Sequence, residues 1–433
     1  MSAVATAREG TAGGPEHIAT GAAAGGAAGG GRVPTYAVVT GGGTGGHVQP
    51  ALAVAEALVA RGHEPRSIHF VGARRGMEAQ LIPAAGFELT CLPGRGIRRR
   101  LALGNIAALG GLALAAARSV VLLGRRRPEV VVSLGGYAGL PASLAALIWR
   151  IPLVVVTIDA VPGAANRLVG RLATVNAVAL EGTGLPRSEL TGPPLRQAIS
   201  ALQGGAAGRL AARDALGLPP ERSVLLVTGG SLGARRINEA TVSLALTWAR
   251  RGDLSLYHVT GARDLGETGA VAAAAGLGPA DGGPGLDYHL VGYEPNMAAA
   301  LLACDLAVAR AGASTVAELA ALGVPSILVP LPGAPRDHQT RNAAALEDVG
   351  AAVVLADADC DAERLGALAG ELLSSPQRRS TMEAAARSLG RSDAAGRVAE
   401  LAESVARRGR PWWGGARAGT RRHEARARGT GRR

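Results

Sequence analysis

The sequence predicts an α/β protein in which two doubly wound parallel sheets face a central cleft. Three observations predict this fold class. The chain has 433 residues, which is too long for one ordinary core and suggests two domains. Short apolar runs alternate with stretches of helical spacing, the order that builds parallel sheets. A strand, a glycine turn and a helix follow one another twice, at VVTGGGTGGH and again at LVTGGSLGAR.

The first half begins where a Gly/Ala-rich stretch ends. Residues 1–33 have too few large apolar side chains to form a core, and we expect this extension to be disordered. Apolar, β-branched runs then predict strands at 35–40, 67–72, 129–136 and 152–159. Helical spacing with Pro near the start predicts helices at 50–62 and 141–150. These elements form a series of βαβ units.

The second half repeats this scheme. A strand, a GGS turn and a helix occupy 223–240, and further elements are predicted as strands at 254–261, 287–293, 306–312 and 325–332 and a helix at 314–323. We therefore expect a first domain at 34–195 and a second at 196–400. The last helix of the second domain either stays there or returns to the first. The remainder, 401–433, is predicted to be a disordered, Arg-rich tail.

Positive charge is concentrated in that tail. All 46 basic residues are Arg, the formal net charge is +12, and ten of the Arg lie between Arg407 and the last residue. Such a tail suits an anionic membrane surface or RNA, although a solvated tail without a specific partner is the plainer interpretation. We expect no specific nucleic acid partner. The three scattered cysteines are typical of free thiols in a reducing cytoplasm.

A basic and apolar segment at 97–127 is open to three interpretations. IRRR and GRRR flank 23 mostly apolar residues, which is nearly enough to span a bilayer. Several glycines, the internal Arg118 and the position between two strands argue against a spanning helix. A helix lying on an anionic membrane surface and an ordinary crossover helix both remain possible.

The first glycine turn contains the GxGxxG pattern of dinucleotide sites. An acid that holds the adenosine ribose should follow about 20 residues later, but the next strand ends in FVGARRG. A nicotinamide dinucleotide is therefore disfavoured. The glycines still let backbone N–H groups approach an anion or a sugar at a helix start. His47 lies at that start, where the helix dipole favours the neutral imidazole. Its role is either catalytic or structural, as a helix cap or a packing residue.

Small polar residues follow the strands of the second half. Ser231 in GGSLGA suits a phosphate or a helix cap. Ser314 and Glu318 are one helical turn apart, and Glu318 either accepts hydrogen bonds from a ribose diol or compensates the helix dipole. Gln339 and Asn342 lie near the start of the next helix. This grouping favours a sugar-nucleotide site, and no motif supports metal catalysis.

Five motifs together resemble one family. In order they are VVTGGGTGGHVQPALAVAEAL, SLGGYAGLPASLAA, VTGGSLGARRIN, RAGASTVAELAALGVPSILVP and DHQTRNA, and the resemblance to the MurG family covers roughly residues 34–400. It implies a GT-B fold of two Rossmann-like domains. It also implies inverting transfer of GlcNAc from UDP-GlcNAc to the MurNAc 4-hydroxyl of undecaprenyl-linked lipid I, in peptidoglycan synthesis and hence in cell shape and division. The resemblance further implies a peripheral protein on the cytoplasmic side of the cell membrane that needs no bound cofactor.

The resemblance implies roles for individual residues. On the acceptor side it places Gly43, His47 and Tyr137, with His47 as the catalytic base or as the group that orients the acceptor. The implied donor contacts are Arg196 and Ser231 at the diphosphate, Glu318 at the ribose, Gln339 at the GlcNAc hydroxyls and the backbone around Glu294 at uracil. The other implied donor-binding positions are Thr44, Gly45, Gly46, Asp159, Ala313, Ser314, Thr315, Val316 and Ala317.

One motif departs from the family pattern. The family usually has HEQNAxPGxAN after its fifth strand, whereas this chain has VTIDAVPGAAN. Asp159 thus replaces an Asn that the family places at the GlcNAc. A carboxylate accepts the same hydrogen bond but cannot donate one. Asp159 is therefore a second candidate for the general base, with His47 then orienting the acceptor. Leu232 also replaces a usual Gln in the second glycine turn.

Three other functions remain as alternatives. The altered VTID motif is compatible with a MurG-like enzyme that acts on another lipid acceptor. A UDP-GlcNAc 2-epimerase shares the two-domain layout, although the apolar segment at 101–123 argues against it. A non-catalytic scaffold that binds the sugar nucleotide is the third alternative.

Overall fold

Two parallel sheets form the frame of the molecule, as the alternation of strands and helices predicts. The computed structural model describes residues 33–42, 45–74, 77–93, 104–202, 205–230, 233–280 and 282–408. The extension before residue 33 and the tail after residue 408 lie outside the described residues, so the predictions made for them stay predictions.

The first sheet has seven strands in the order β3-β2-β1-β4-β5-β6-β7, and every pair is parallel. The strands are β1 (Ala37–Gly42), β2 (Ile68–Ala73), β3 (Glu88–Leu92), β4 (Val130–Gly135), β5 (Leu153–Thr157), β6 (Val175–Val178) and β7 (Ser188–Leu190). The central strands β1 and β4 are buried at every position, because helices cover both faces of the sheet. Strand order reverses between β1 and β4, since β2 and β3 lie on one side of β1 and the later strands on the other. Such a sheet opens a crevice at this point.

The helices of the first half begin earlier than the sequence analysis predicts. They are α1 (Gly45–Ala60), α2 (Glu78–Ala84), α3 (Gly104–Arg126), α4 (Gly136–Ile148) and α5 (Ala164–Gly170). The predicted starts at Pro50 and Pro141 are wrong, since each Pro is the sixth residue of its helix. A Pro so near the start removes only one backbone hydrogen bond, so the helix can extend back into the glycine turn.

The second sheet has six parallel strands in the order β10-β9-β8-β11-β12-β13. They are β8 (Ser223–Thr228), β9 (Leu254–Val259), β10 (Asp287–Val291), β11 (Leu306–Ala309), β12 (Ser326–Leu328) and β13 (Ala352–Val354). The helices that follow the first domain are α6 (Gln197–Ser200), α7 (Ala206–Ala215), α8 (Arg235–Thr247), α9 (Leu265–Ala274), α10 (Met297–Ala303), α11 (Ala313–Leu322), α12 (His338–Glu347), α13 (Ala362–Leu373), α14 (Pro376–Leu389) and α15 (Ala394–Arg407).

The last helix, α15, packs on the first sheet. Its apolar face, including Val398 and Leu401, belongs to the same core as Val39 of β1 and Leu52 of α1. Glu403 on its polar side accepts hydrogen bonds from the Arg61 guanidinium. The chain therefore crosses from the second half back to the first.

Helix α3 is the longest in the described part of the chain, with 23 residues. No helix of the described residues is both long and apolar enough to cross a bilayer. Among the three interpretations of the 97–127 segment, the spanning helix is thus not supported. Residues 97–103 lie outside the described residues.

Candidate functional site

The two glycine turns of the first sheet touch each other at the switch point. Gly42 at the end of β1 pairs with Gly136 at the start of α4 in an isolated parallel bridge. Gly136 has a φ of +75°, and a Cβ there would lie 2.3 Å from the Gly42 carbonyl oxygen. A Cβ on Gly42 would lie 2.2 Å from Oε1 of the buried Glu78. Part of the glycine content thus serves contacts within the protein and not only the approach of a ligand.

His47 is the third residue of α1 and faces both halves of the molecule. Burial lowers the pKa of His47, because the charged imidazolium loses its hydration. The carboxylates of Asp159 and Glu78 act in the opposite direction and raise this pKa, and His338 adds a smaller lowering effect. The side chain is therefore neutral at neutral pH. The sequence predicts a neutral His47 from the helix dipole, whereas burial is the dominant cause in the structure.

Asp159 lies in the loop after β5 and contacts the second half. Its Oδ1 accepts a hydrogen bond from Nδ2 of Asn342 on α12, at 3.2 Å. Asn342 also accepts from the backbone N–H of Ala160 at 3.0 Å and donates to the Ala311 carbonyl at 3.2 Å. One amide side chain thus joins the loops that follow β5 and β11.

The start of α11 meets the start of α1 across the cleft. The Ser314 hydroxyl donates to the Gly46 carbonyl at 3.5 Å, and Ala313 packs against the core of the first half. The Gly46 carbonyl can accept this bond because its usual donor in the helix would be residue 50, which is Pro and has no N–H. Two helix N-termini therefore face one space, which is a favourable place for an anionic diphosphate.

Glu318 lies in the second turn of α11 and has no hydrogen-bond partner among the described residues. Burial raises the pKa of Glu318 to about 7, because the carboxylate is poorly hydrated there. An ionised carboxylate in such a place gains from any ligand that donates hydrogen bonds, such as a ribose diol.

Arg196 is engaged with α1 in this structure. Its Nη2 donates to Oε1 of Glu56 at 2.5 Å and its Nη1 to Oε1 of Gln49 at 3.3 Å. Its predicted contact with the donor diphosphate stays a prediction.

Two other predicted donor residues have partners within the second half. Oε1 of Gln339 accepts from the backbone N–H of Leu331 at 2.9 Å. The Glu294 side chain turns inward, where Oε2 accepts from the Tyr257 hydroxyl at 2.5 Å and Oε1 from the Asn296 N–H at 2.6 Å. The Glu294 side chain is thus engaged within the second half, and the contact of its backbone with uracil stays a prediction.

Several predicted positions cannot be placed. Gly43, Thr44, Ser231 and Leu232 lie outside the described residues, and so does the side chain of Tyr137. Thr315 and Val316 follow Ser314 in the first turn of α11, and Ala317 begins the second turn. In the described ranges, no three His, Cys, Asp or Glu side chains are grouped so as to hold a metal ion.

Two residues, Glu78 and Asn342, have contacts at the site that the sequence motifs did not predict. Glu78 is fully buried, and its Oε1 accepts from the Ala73 N–H at 2.8 Å beneath the first glycine turn. Asn342 was noted only as a polar residue near a helix start. Its spacing of three residues from Gln339 places both on one helix face, which is the only signal the sequence holds for it.

Comparisons with known proteins agree with this geometry. Residues 37–178 match the model of the glycosyltransferase family 28 N-terminal domain, and residues 224–398 match that of the C-terminal domain. Similar curated proteins include the UDP-N-acetylglucosamine--N-acetylmuramyl-(pentapeptide) pyrophosphoryl-undecaprenol N-acetylglucosamine transferases of Clavibacter sepedonicus and Alkalilimnicola ehrlichii. The first is 39% identical over 81% of this chain and 91% of its own length. The second is 41% identical over 82% of this chain and 95% of its own length.

Solved structures agree as well. The crystal structure of Acinetobacter baumannii MurG matches with a TM-score of 0.65 and 28% identity, over 86% of this chain and all of that one. A putative UDP-N-acetylglucosamine 2-epimerase from Listeria monocytogenes matches with a TM-score of 0.59 at 16% identity, which indicates a shared fold alone. The predicted GT-B fold is confirmed, and the chain belongs to glycosyltransferase family 28, among the MurG-type transferases.

Proposed function

We propose that this protein transfers GlcNAc from UDP-GlcNAc to the MurNAc 4-hydroxyl of undecaprenyl-linked lipid I, which gives lipid II for peptidoglycan synthesis. The observation that supports this most directly is the cleft, where Gly46 and Asp159 of the first half contact Ser314 and Asn342 of the second, with His47 close to Asp159. The names of the curated relatives support the choice of donor and acceptor.

The proposed reaction is one inverting displacement at the anomeric carbon. The neutral imidazole of His47 accepts the proton of the acceptor hydroxyl while its oxygen forms a bond to C1 of GlcNAc. The bond between C1 and the diphosphate oxygen breaks at the same time, and UDP leaves with the electron pair. In the alternative assignment, Asp159 accepts the proton and His47 orients the acceptor.

The departing UDP needs stabilisation of its negative charge. The N-termini of α1 and α11 supply positive dipole ends and backbone N–H groups at the place where the diphosphate would lie. Ser231 and Arg196 are proposed to add contacts to the diphosphate, and Glu318 to hold the ribose diol. Gln339 is proposed to contact the GlcNAc, with the backbone at Glu294 meeting uracil.

The acceptor is a lipid, so the protein has to reach a membrane. We propose peripheral binding at the cytoplasmic face through α3 and the end of α4. Leu114, Arg118, Val121 and Arg125 lie along one side of α3 and are all exposed, which alternates apolar and basic groups on one helix face. Exposed Trp149 lies beside them and donates its indole N–H to the Val120 carbonyl at 2.8 Å. This surface, with the Arg-rich tail as a second candidate, suits anionic lipid headgroups.

The test of the activity is direct. The purified protein is incubated with radiolabelled UDP-GlcNAc and lipid I in detergent, and we expect labelled lipid II together with free UDP. Transfer to a different lipid with none to lipid I would instead support a MurG-like enzyme with another acceptor. Conversion of the donor to its C2 epimer would support the epimerase. Binding of UDP-GlcNAc without turnover would support the scaffold.

A further inference from the structure

Asn342 makes an unusual set of contacts for a residue with no assigned role. Its side chain is 1% exposed, and all of its partners are polar groups at the cleft. Its two N–H groups are directed to Oδ1 of Asp159 and to the Ala311 carbonyl, and its oxygen accepts from the Ala160 N–H. A buried amide with its donors and its acceptor all in use is held in one orientation.

These contacts hold the two halves together. Asp159 and Ala160 belong to the first half, whereas Asn342 and Ala311 belong to the second. Ala311 comes two residues before α11, whose Ser314 reaches the Gly46 carbonyl. If the halves separated, Asp159 and the Ala160 N–H would lose their Asn342 partner in the same movement. Loss of these hydrogen bonds raises the free energy of the open state unless water replaces each bond.

The contacts also bear on the group that accepts the proton. His47 is faced by the carboxylates of Asp159 in the β5–α5 loop and Glu78 on α2, and by His338 on α12. His338 and Asn342 are four residues apart and lie on one face of α12. The position of α12 thus determines both the orientation of the Asp159 carboxylate and the approach of His338.

We propose that Asn342 is a positioning residue for the transfer, which clasps the two halves and orients the Asp159 carboxylate beside His47. This inference rests on the proposed function. It assigns two roles to Asn342: it acts on proton transfer by orienting Asp159, and it holds together the two halves that form the cleft.

The test uses the full-length chain and a double-mutant cycle. Asp159→Asn keeps an oxygen that accepts from Asn342 but removes the negative charge. The acid limb of kcat/KM for lipid I, measured at saturating UDP-GlcNAc so that the titration of Glu318 does not contribute, is expected to follow the ionisation of His47. Loss of the nearby carboxylate moves that limb to lower pH. Asn342→Ala is expected to raise the KM for UDP-GlcNAc about tenfold. In the Asn342→Ala background, Asp159→Asn is expected to move the acid limb much less than in the wild type. Equal shifts in both backgrounds would overturn the proposal.

A second variant pair keeps the test decisive if Asn342→Ala does not fold. Asn342→Asp places two carboxylates together. Adding Asp159→Asn restores a hydrogen-bonded pair, in which the amide at position 159 donates to the carboxylate at position 342. The double variant is expected to be at least about tenfold better in kcat/KM than Asn342→Asp alone. No improvement would contradict the clasp. Binding of UDP, measured by calorimetry, should weaken in Asn342→Asp even if lipid I proves to be the wrong acceptor. A failure of the proposed function and a failure of this inference are therefore distinguishable.

Discussion

At the scale of single residues, burial determines the protonation states in the cleft. Burial lowers the pKa of His47 and raises that of Glu318 to about 7, because each side chain is less well hydrated when charged. The imidazole is thus ready to accept a proton at neutral pH. The carboxyl of Glu318 changes its charge in the same pH range, so the ribose contact that we propose for it predicts pH-dependent donor binding.

The role of His47 as base makes a strong prediction. His47→Ala is expected to lower kcat about 10²-fold or more, with a smaller change in the KM for UDP-GlcNAc, because a positioned base acts mainly in the transition state. Steady-state formation of lipid II measures both constants. His63→Ala is the matched control, since His63 lies in the same half but contacts Glu403 on α15. A kcat near the wild-type value in His47→Ala would favour Asp159 as the base.

Glu318 is expected to make donor binding pH-dependent. If the ribose diol requires the carboxylate, the Kd for UDP-GlcNAc rises about tenfold between pH 8 and pH 6, since a pKa of about 7 leaves roughly a tenth of the groups ionised at pH 6. Calorimetry with UDP-GlcNAc measures this directly. Glu318→Gln should bind weakly and without this pH dependence. A wild-type Kd that is constant over the same range would exclude Glu318 from the diol.

The same raised pKa has a consequence for stability in the absence of donor. The folded pKa of about 7 lies above the ordinary value of 4.5, so the folded state binds the proton more tightly. The free energy of unfolding therefore falls as pH rises from about 4.5 through 7. Glu318→Gln should remove that loss and be more stable than the wild type at pH 8 but not at pH 4, in thermal melts. Equal stabilities at pH 8 would contradict a buried carboxylate.

The residue pattern predicts some of this site and not the rest. His47 follows β1, and Ser314 and Glu318 follow β11, so their places at the carboxyl ends of the strands of their own sheets could be predicted from sequence. The partners of Asn342 could not be predicted, because Asp159 is 183 positions away in the chain and lies in a loop of the other half. Such a contact depends on the relative placement of two domains, for which local sequence holds no signal.

At the scale of elements, strand and helix types were predictable, and their bounds less so. Apolar runs identified β1, β4 and β8 correctly. The short strands β3, β6, β7 and β13 were missed, because three to five residues on their own hold too little periodicity. Both helices that follow glycine turns in the first half begin five residues before their Pro. The rule that Pro marks the first helical residue failed there, since the tight turn continues directly into helix.

Pro50 in α1 is therefore expected to lower the stability of the protein while leaving the Gly46 carbonyl free to accept from Ser314 across the cleft. Pro50→Ala restores an N–H that can bond to the Gly46 carbonyl, which should stabilise the protein by about 1–3 kcal/mol in denaturant unfolding. The new bond competes with the Ser314 hydroxyl, so the KM for UDP-GlcNAc should rise. Pro141→Ala in α4 occupies the same position in its helix and is the matched control. It should stabilise without raising that KM, and an equal rise in both variants would disprove the competition.

At the scale of the whole molecule, the first half has two tasks. It receives α15 from the far end of the chain, so that Arg61 and Glu403 tie the last helix to α1. It also presents the exposed side of α3 and the end of α4, on the face that we propose for the membrane. The second half holds most of the residues that we propose for donor binding, and Asn342 joins it to the first. Lipid acceptor and soluble donor would thus reach the cleft from different halves.

The membrane face can be tested with a variant pair of equal exposure. Val121 on α3 and Val271 on α9 are each 51% exposed, but only Val121 lies among basic residues on the first half. Val121→Glu is expected to reduce co-sedimentation with anionic phospholipid vesicles at low salt, because a carboxylate opposes both apolar insertion and attraction to anionic headgroups. Val271→Glu should sediment like the wild type. Both variants should keep the wild-type KM for UDP-GlcNAc, since neither contacts the cleft residues described above. If Val121→Glu binds vesicles as well as Val271→Glu does, α3 is a crossover helix only, and attachment has to come from elsewhere in the chain.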